Sequence, residues 1–311
     1  AGVHLTLTGD PTEMAVSWVV EGNLSGSVAR VVWSAADGTA HTATNASTIM
    51  VTDTEDMSTY SYCGGGLVTH TLFMVLLREL PVGSKISYTA SIQLPSRINQ
   101  VGSAAFQTPP AKLASTLRFL ATADVGDPVS HSWTALPQMA RQCSEETFGL
   151  GLHIGDIAYN LDITPRGDDY LKGVAPMAST FPWMMGPGNH EADCNYTYAN
   201  YLGRFAAQNL TRSLHGPASG SSRWYSFELG PVHFTMFDTD AYGFDEVAYV
   251  LEEQYRFIQA DLAAVDRDRT PWIVLMSHRP MYCSPSSYSV AEGAADSENS
   301  GARGSHLGWP K

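Results

Sequence analysis

The chain lacks any apolar run long enough to cross a membrane as a helix, which takes about 20 residues. Its longest candidate, residues 71–80, is broken by Arg78 and Glu79 and reads as a strand. Positive charge is scarce: 18 Lys and Arg stand against 31 Asp and Glu, a net charge of −13. That balance argues against nucleic acid as a partner, because binding its backbone requires a basic surface. A small phosphorylated substrate is still allowed, since bound cations can supply a positive field locally. Cysteine is sparse as well. Cys63, Cys143, Cys194 and Cys283 show no C-x-x-C spacing, which disfavours a zinc knuckle. Their even number permits up to two disulfides of undetermined connectivity, or a bond from Cys283 to another chain. No charged-then-apolar leader precedes Ala1, the pattern expected of a processed mature N-terminus.

What is present divides into two parts, as 311 residues lead one to expect. Short alternating segments at residues 3–8, 14–20, 29–34, 48–51, 71–77, 86–92 and 104–108 predict seven strands and no helix. That pattern describes a β-sandwich over residues 1–108. The run Leu80-Pro81-Val82-Gly83-Ser84, followed by Ile86-Ser87-Tyr88, resembles the tyrosine corner of a fibronectin type III domain. Trp18 and Trp33 fit the sandwich core, and His4, His41 and His70 lack carboxylate neighbours at ligand spacing. Pro109-Pro110-Ala111-Lys112 forms a stiff linker, because consecutive prolines favour extended backbone.

From residue 113 to 311 buried apolar runs alternate with helical stretches, the pattern of a layered α/β domain. The clearest helix spans residues 249–265, where Leu251, Tyr255, Ile258, Leu262 and Val265 predict one apolar face. Residues 224–229 and 232–237, joined at Gly230-Pro231, predict a hairpin added to the sheet. Four apolar runs each end in a side chain able to bind metal: Asp124; Asp156 with Tyr159; Asn189; and His278. Singly each has a structural explanation, as a helix cap, a core aromatic, a turn residue or a strand end. Ligands in layered α/β folds collect beyond the strand ends, so the five are expected to converge on one metal centre.

Four N-x-S/T triplets begin at Asn23, Asn45, Asn195 and Asn209. Together, beside turn residues, they predict a secreted glycoprotein, extracellular or in the lumen of the secretory or lysosomal-vacuolar pathway.

The blocks Asp124-Val125-Gly126, Gly155-Asp156-Ile157-Ala158-Tyr159, Gly188-Asn189-His190-Glu191 and Val274-Leu275-Met276-Ser277-His278 resemble, in order and spacing, the purple acid phosphatases. The run His278-Arg279-Pro280-Met281-Tyr282-Cys283 looks most like the animal-type branch. The resemblance implies a fibronectin type III-like sandwich followed by an α/β/β/α metallophosphoesterase domain. It implies Fe(III) on Asp124, Asp156 and Tyr159, with Asp156 bridging to a divalent Zn, Fe or Mn held also by Asn189 and His278. His190 is implied to hydrogen-bond the substrate phosphate beside Asn189, with Asp156 and His190 as the catalytic pair. Such a centre hydrolyses phosphate monoesters with a metal-activated hydroxide.

The family's fifth block, Gly-His-x-His, is absent; His306 lacks a second histidine two places on. Residues 284–308, rich in Ser, Gly and Ala, read as an exposed, cleavable loop. The expectation is therefore a second polypeptide from the same precursor, carrying the missing histidines. Where plant members carry a candidate proton donor, this chain reads Ser286-Ser287-Tyr288-Ser289. Two competing functions follow: a phosphodiesterase or nucleotide pyrophosphatase of the same fold, and a non-catalytic glycoprotein with an incomplete site.

Overall fold

The computed structural model describes residues 2–46, 48–54, 67–110, 116–145, 148–193, 196–242 and 250–279. The first part holds eight strands: β1 (His4–Thr6), β2 (Met14–Glu21), β3 (Val28–Ser34), β4 (Ala40–Ala46), β5 (Thr48–Thr54), β6 (Leu67–Leu77), β7 (Lys85–Gln93) and β8 (Ile98–Gln107). They form two antiparallel sheets of order β1-β2-β6-β5 and β4-β3-β7-β8. The inner faces share a core containing Val16, Trp18 and Phe73 from one sheet and Val31, Trp33 and Ile86 from the other.

This is one strand more than the sequence predicts. The added strand is β4, Ala-His-Thr-Ala-Thr-Asn-Ala, an edge strand exposed along nearly its whole length. It buries neither face, so it carries no apolar alternation to be read. Its one aromatic contact is His41 stacked on Trp33, with ring centroids 4.2 Å apart. The predicted tyrosine corner also needs correction. A corner tyrosine bonds back to its own domain, whereas the Tyr88 hydroxyl donates to the Ser179 carbonyl of the second domain at 2.9 Å.

The second part builds β9 (Phe119–Thr122), α1 (Ala135–Glu145), β10 (Leu150–Ile154), α2 (Arg166–Ala178), β11 (Trp183–Gly186), α3 (Ala199–Arg204), β12 (Tyr225–Leu229), β13 (Val232–Met236), α4 (Leu251–Ala264) and β14 (Trp272–Met276). Strands β9, β10 and β11 form a parallel sheet with β10 central. The predicted hairpin turns at Gly230-Pro231, but it joins a different sheet, β12-β13-β14, in which β13 and β14 run parallel. The sheets meet through alternate residues. Leu150, Leu152 and Met184 of one pack with Phe227, Phe234 and Met236 of the other. Trp183 and Met185 point the other way, into a second core with Tyr170, Leu171 and Val174 of α2.

On the far face of the second sheet lies α4; of its predicted apolar face Leu251 and Ile258 pack against the core, but Tyr255 turns outward. Gln254, Phe257 and Asp261 are buried, while Tyr255 is 49% exposed. Polar satisfaction sets the rotation. The Asp261 carboxylate accepts from Ser213, Ser226 and Thr235 and pairs with His233, while Gln254 bonds both backbone groups of Asp238. A buried carboxylate with these partners outweighs the burial of one tyrosine.

The two parts are joined by hydrogen bonds as well as by apolar contact. Backbone of Thr8 accepts from Arg212, and the Leu7 carbonyl accepts from the Thr211 hydroxyl at 2.7 Å. His70 of β6 lies 3.4 Å from Asp168 of α2, which also receives the fully buried Arg204 of α3 at 2.6 Å.

Candidate metal centre

Parallel strands deliver their C-terminal ends to one edge, and the residues just beyond them gather there. Asp124 follows β9, Asp156 and Tyr159 follow β10, Asn189 and His190 follow β11, and His278 follows β14. Donor atoms of Asp124, Asp156 and His278 all lie within 4.8 Å of one another. The Tyr159 hydroxyl reaches within 3.4 Å of Asp124 Oδ1. Asn189 occupies the adjoining short turn, its Oδ1 3.1 Å from Arg279 Nη2. His190 stands edge-on to Tyr159 at 4.9 Å between ring centroids, and its Nε2 lies 3.7 Å from Asp156 Oδ2.

Local backbone makes these approaches possible. Asp124, Asp156 and Tyr159 adopt positive φ, at 55°, 51° and 46°, which tips each side chain out of the strand direction. Asp124 donates its amide to the Gly155 carbonyl at 3.2 Å, tying the first strand end to the second. A Cβ at Gly188 would stand 2.3 Å from Asp156 Oδ1, and one at Gly155 would run into the His278 ring. Glycine is required at both places because the backbone itself is packed against the ligand groups.

The electrostatics are those of a cation site. Burial and the neighbouring Asp156 raise the Asp124 carboxyl above its ordinary range. Burial acts to raise Asp156 too, yet the hydrogen bond and charge of His278, with help from His190, hold it low. Burial opposes the charge on His278, but Asp156 at 3.3 Å lifts its pKa to about 9. A ligating imidazole must be neutral, so a cation entering this site competes with a proton for His278. Two carboxylates, a phenol and an imidazole suit a hard cation, with the neutral imidazole and amide better matched to a divalent one.

Sequence reasoning overlooked the groups that hold the donors. Glu191 is fully buried, and its carboxylate accepts the amides of Asp156, Ile157 and Gly188, each at 2.8 Å. Burial and the Asp156 charge push it up to about 8, against the pull of the Ile157 and Gly188 amides and of His278. The only sequence signal was its place in the Asn189-His190-Glu191 block. Asn160, next to Tyr159, places its Oδ1 3.2 Å from His190 Nδ1. Arg279, next to His278, contacts Asn189, Asp240 and Thr239. Of the four cysteines, Cys143 is a free thiol. Cys63, Cys194 and Cys283 lie outside the described residues, as do Asn195, His306, the whole 284–308 stretch and the residues at the plant proton-donor position. Asn23, Asn45 and Asn209 are exposed. Among the described residues no helix is long and apolar enough to cross a membrane.

The family model of calcineurin-like phosphoesterases matches residues 117–303. Mouse (Mus musculus) acid phosphatase type 7 is 37% identical over 164 residues, covering 51% of this chain and 35% of that protein. Purple acid phosphatase 22 of Arabidopsis thaliana is 32% identical over 188 residues, covering 57% of this chain and 38% of its own. The match thus spans little more than a third of the length of either relative. A purple acid phosphatase from yellow lupin (Lupinus luteus) seeds superposes with a TM-score of 0.69 at 22% identity, over 94% of this chain and 53% of its own. That likeness is one of fold.

Proposed function

Because the chain belongs to the calcineurin-like phosphoesterase family, we propose that it is a purple acid phosphatase-like enzyme hydrolysing phosphate monoesters. The observation that carries this is the convergence of Asp124, Asp156 and His278 within 4.8 Å, with the Tyr159 hydroxyl beside Asp124. The donor set fits two cations. Asp124, Asp156 and Tyr159 would hold Fe(III), and Asp156, Asn189 and His278 a divalent Zn, Fe or Mn. When bound, such a pair supplies Lewis acidity towards the phosphate and acidifies water at the site.

The chain's own residues supply the rest. Asn160 Oδ1 accepts from His190 Nδ1–H, which orients the ring; donation from Nε2 to a substrate phosphate oxygen requires that both ring nitrogens carry a proton. The Asp156 carboxylate also accepts the His190 backbone amide at 3.2 Å, so the histidine that would meet a phosphate and the carboxylate that would hold metal are set as one unit. Glu191 holds the Asp156 backbone from beneath and keeps that unit from turning.

The same reading includes a secreted glycoprotein bearing sugars at Asn23, Asn45, Asn195 and Asn209, supported by the exposure of Asn23, Asn45 and Asn209. It takes the sandwich as fibronectin type III-like, supported by two packed antiparallel sheets. It draws the Gly-His-x-His ligands from a further polypeptide. Support for that comes from β14, an edge strand among the described residues, whose Trp272 and Leu275 are 67% and 49% exposed.

A concentrated, unreduced sample of the full-length protein tests the reading. The expected result is a visible absorption band from phenolate bound to ferric iron, lost in Tyr159→Phe with the fold retained. Hydrolysis of a nitrophenyl monoester faster than its bis-ester is expected alongside it. A colourless protein without iron overturns the reading, and the opposite rate order converts it into a diesterase.

A further inference from the structure

Arg279 lies between the ends of the two sheets. Its backbone amide donates to the Thr239 hydroxyl at 2.8 Å, and its Nε to Asp240 Oδ1 at 2.5 Å, both just beyond β13. Its Nη2 reaches across to Asn189 Oδ1 beyond β11. Asp240 has no exposed side-chain surface, and Arg279 is only 14% exposed. The anchor is itself fixed: the Asp240 and Ala241 amides donate to Asp238 Oδ1, while Arg223 donates to Asp238 Oδ2 at 2.7 Å.

A carboxamide is a weak, neutral ligand, and its terminal torsion is broad and roughly two-fold. Left alone, Asn189 would present its NH2 group to a cation about as readily as its oxygen. A guanidinium N–H donating to Oδ1 removes that ambiguity, because only the oxygen can accept. It occupies one lone pair and leaves the other for a metal. Asp240 offsets the guanidinium charge, so the orienting group does not repel the cation it serves.

Resting on the binuclear reading above, we propose that Arg279, anchored by Asp240, is a positioning residue that presets the Asn189 carboxamide for the divalent cation. Partners of this kind, one bond removed from a metal, typically tune its affinity by about 10–100-fold.

The test is metal retention in the full-length protein under a graded chelator challenge, with both cations quantified. Arg279→Lys, which keeps a charge for Asp240 but cannot bridge to Asn189, is expected to lose the divalent ion at about 10-fold lower chelator. The ferric band should be unchanged. Asp240→Asn is expected to act in the same direction, and thermal melts of both variants check folding. In an Asn189→Ala background, Arg279→Lys should have little further effect, because coupled residues are not additive. Undiminished retention in folded Arg279→Lys, or an equal loss in the Asn189→Ala background, overturns the proposal. A wild-type protein holding no second cation overturns the binuclear reading and this proposal with it.

Discussion

Glu191 and Asp156, 35 residues apart in sequence, are joined by a 2.8 Å hydrogen bond in which the buried Glu191 carboxylate accepts the Asp156 amide. The carboxylate expected to bridge two cations is thus held by Glu191 through its backbone, without a bond from Glu191 to its own oxygens.

Replacing Glu191 by glutamine sets an NH2 group against at least one of the three amides that its two oxygens accept. Leaving a buried donor without its acceptor costs about 1–3 kcal/mol. Glu191→Gln is expected to lower stability by that much. Denaturant unfolding of chelator-treated protein measures this loss apart from any metal contribution. An unchanged midpoint would contradict the role of Glu191 as the clamp on the Asp156 backbone.

Asp168 joins the sandwich to the second domain through His70 and the buried Arg204. Burial works to raise its carboxyl, but His70 and Arg204 together hold it far below the ordinary 3.8. A depressed acid contributes stability above its unfolded value, lost as pH falls below about 3.8. Asp168→Asn leaves Arg204 buried without a counter-charge and is expected to cost about 3–5 kcal/mol at neutral pH. The same substitution should flatten the acid limb of the stability curve, read from unfolding midpoints across that range.

His233 gives the opposite sign. Burial disfavours its charge, but Asp261 at 2.9 Å, with Glu228, lifts it to about 9. A raised histidine contributes fully below its unfolded value near 6.5, and the contribution disappears as pH rises from there through about 9. Wild type should lose stability over that interval, and His233→Gln should lose less, in urea unfolding at about pH 6 and about pH 9.5.

The donors around the candidate centre were legible because their chemistry stands out where an apolar run stops. Asp124, Asp156, Tyr159, Asn189 and His278 are all polar residues just beyond apolar runs that form strands. The groups that hold them were not legible. Glu191 becomes informative only when β11 is seen beside β10, and Arg279 only when the two sheets face each other. Strand β4 escaped because an exposed edge has no buried face to pattern it. Tyr255 was wrongly placed on the buried face of α4 because periodicity counts apolar residues, whereas Gln254 and Asp261 turn inward to complete polar networks. The interdomain link through His70, Asp168 and Arg204 joins three distant segments and has no local signature.

The left-handed backbone at Asp124, Asp156 and Tyr159 has an evolutionary consequence. For residues bearing a Cβ this conformation costs on the order of 1 kcal/mol each, a strain that glycine does not feel. A lineage judged only by how well it folds would drift towards glycine at these three places. A search for heat-resistant variants without an activity screen would therefore tend to select the oxygen-bearing side chains away.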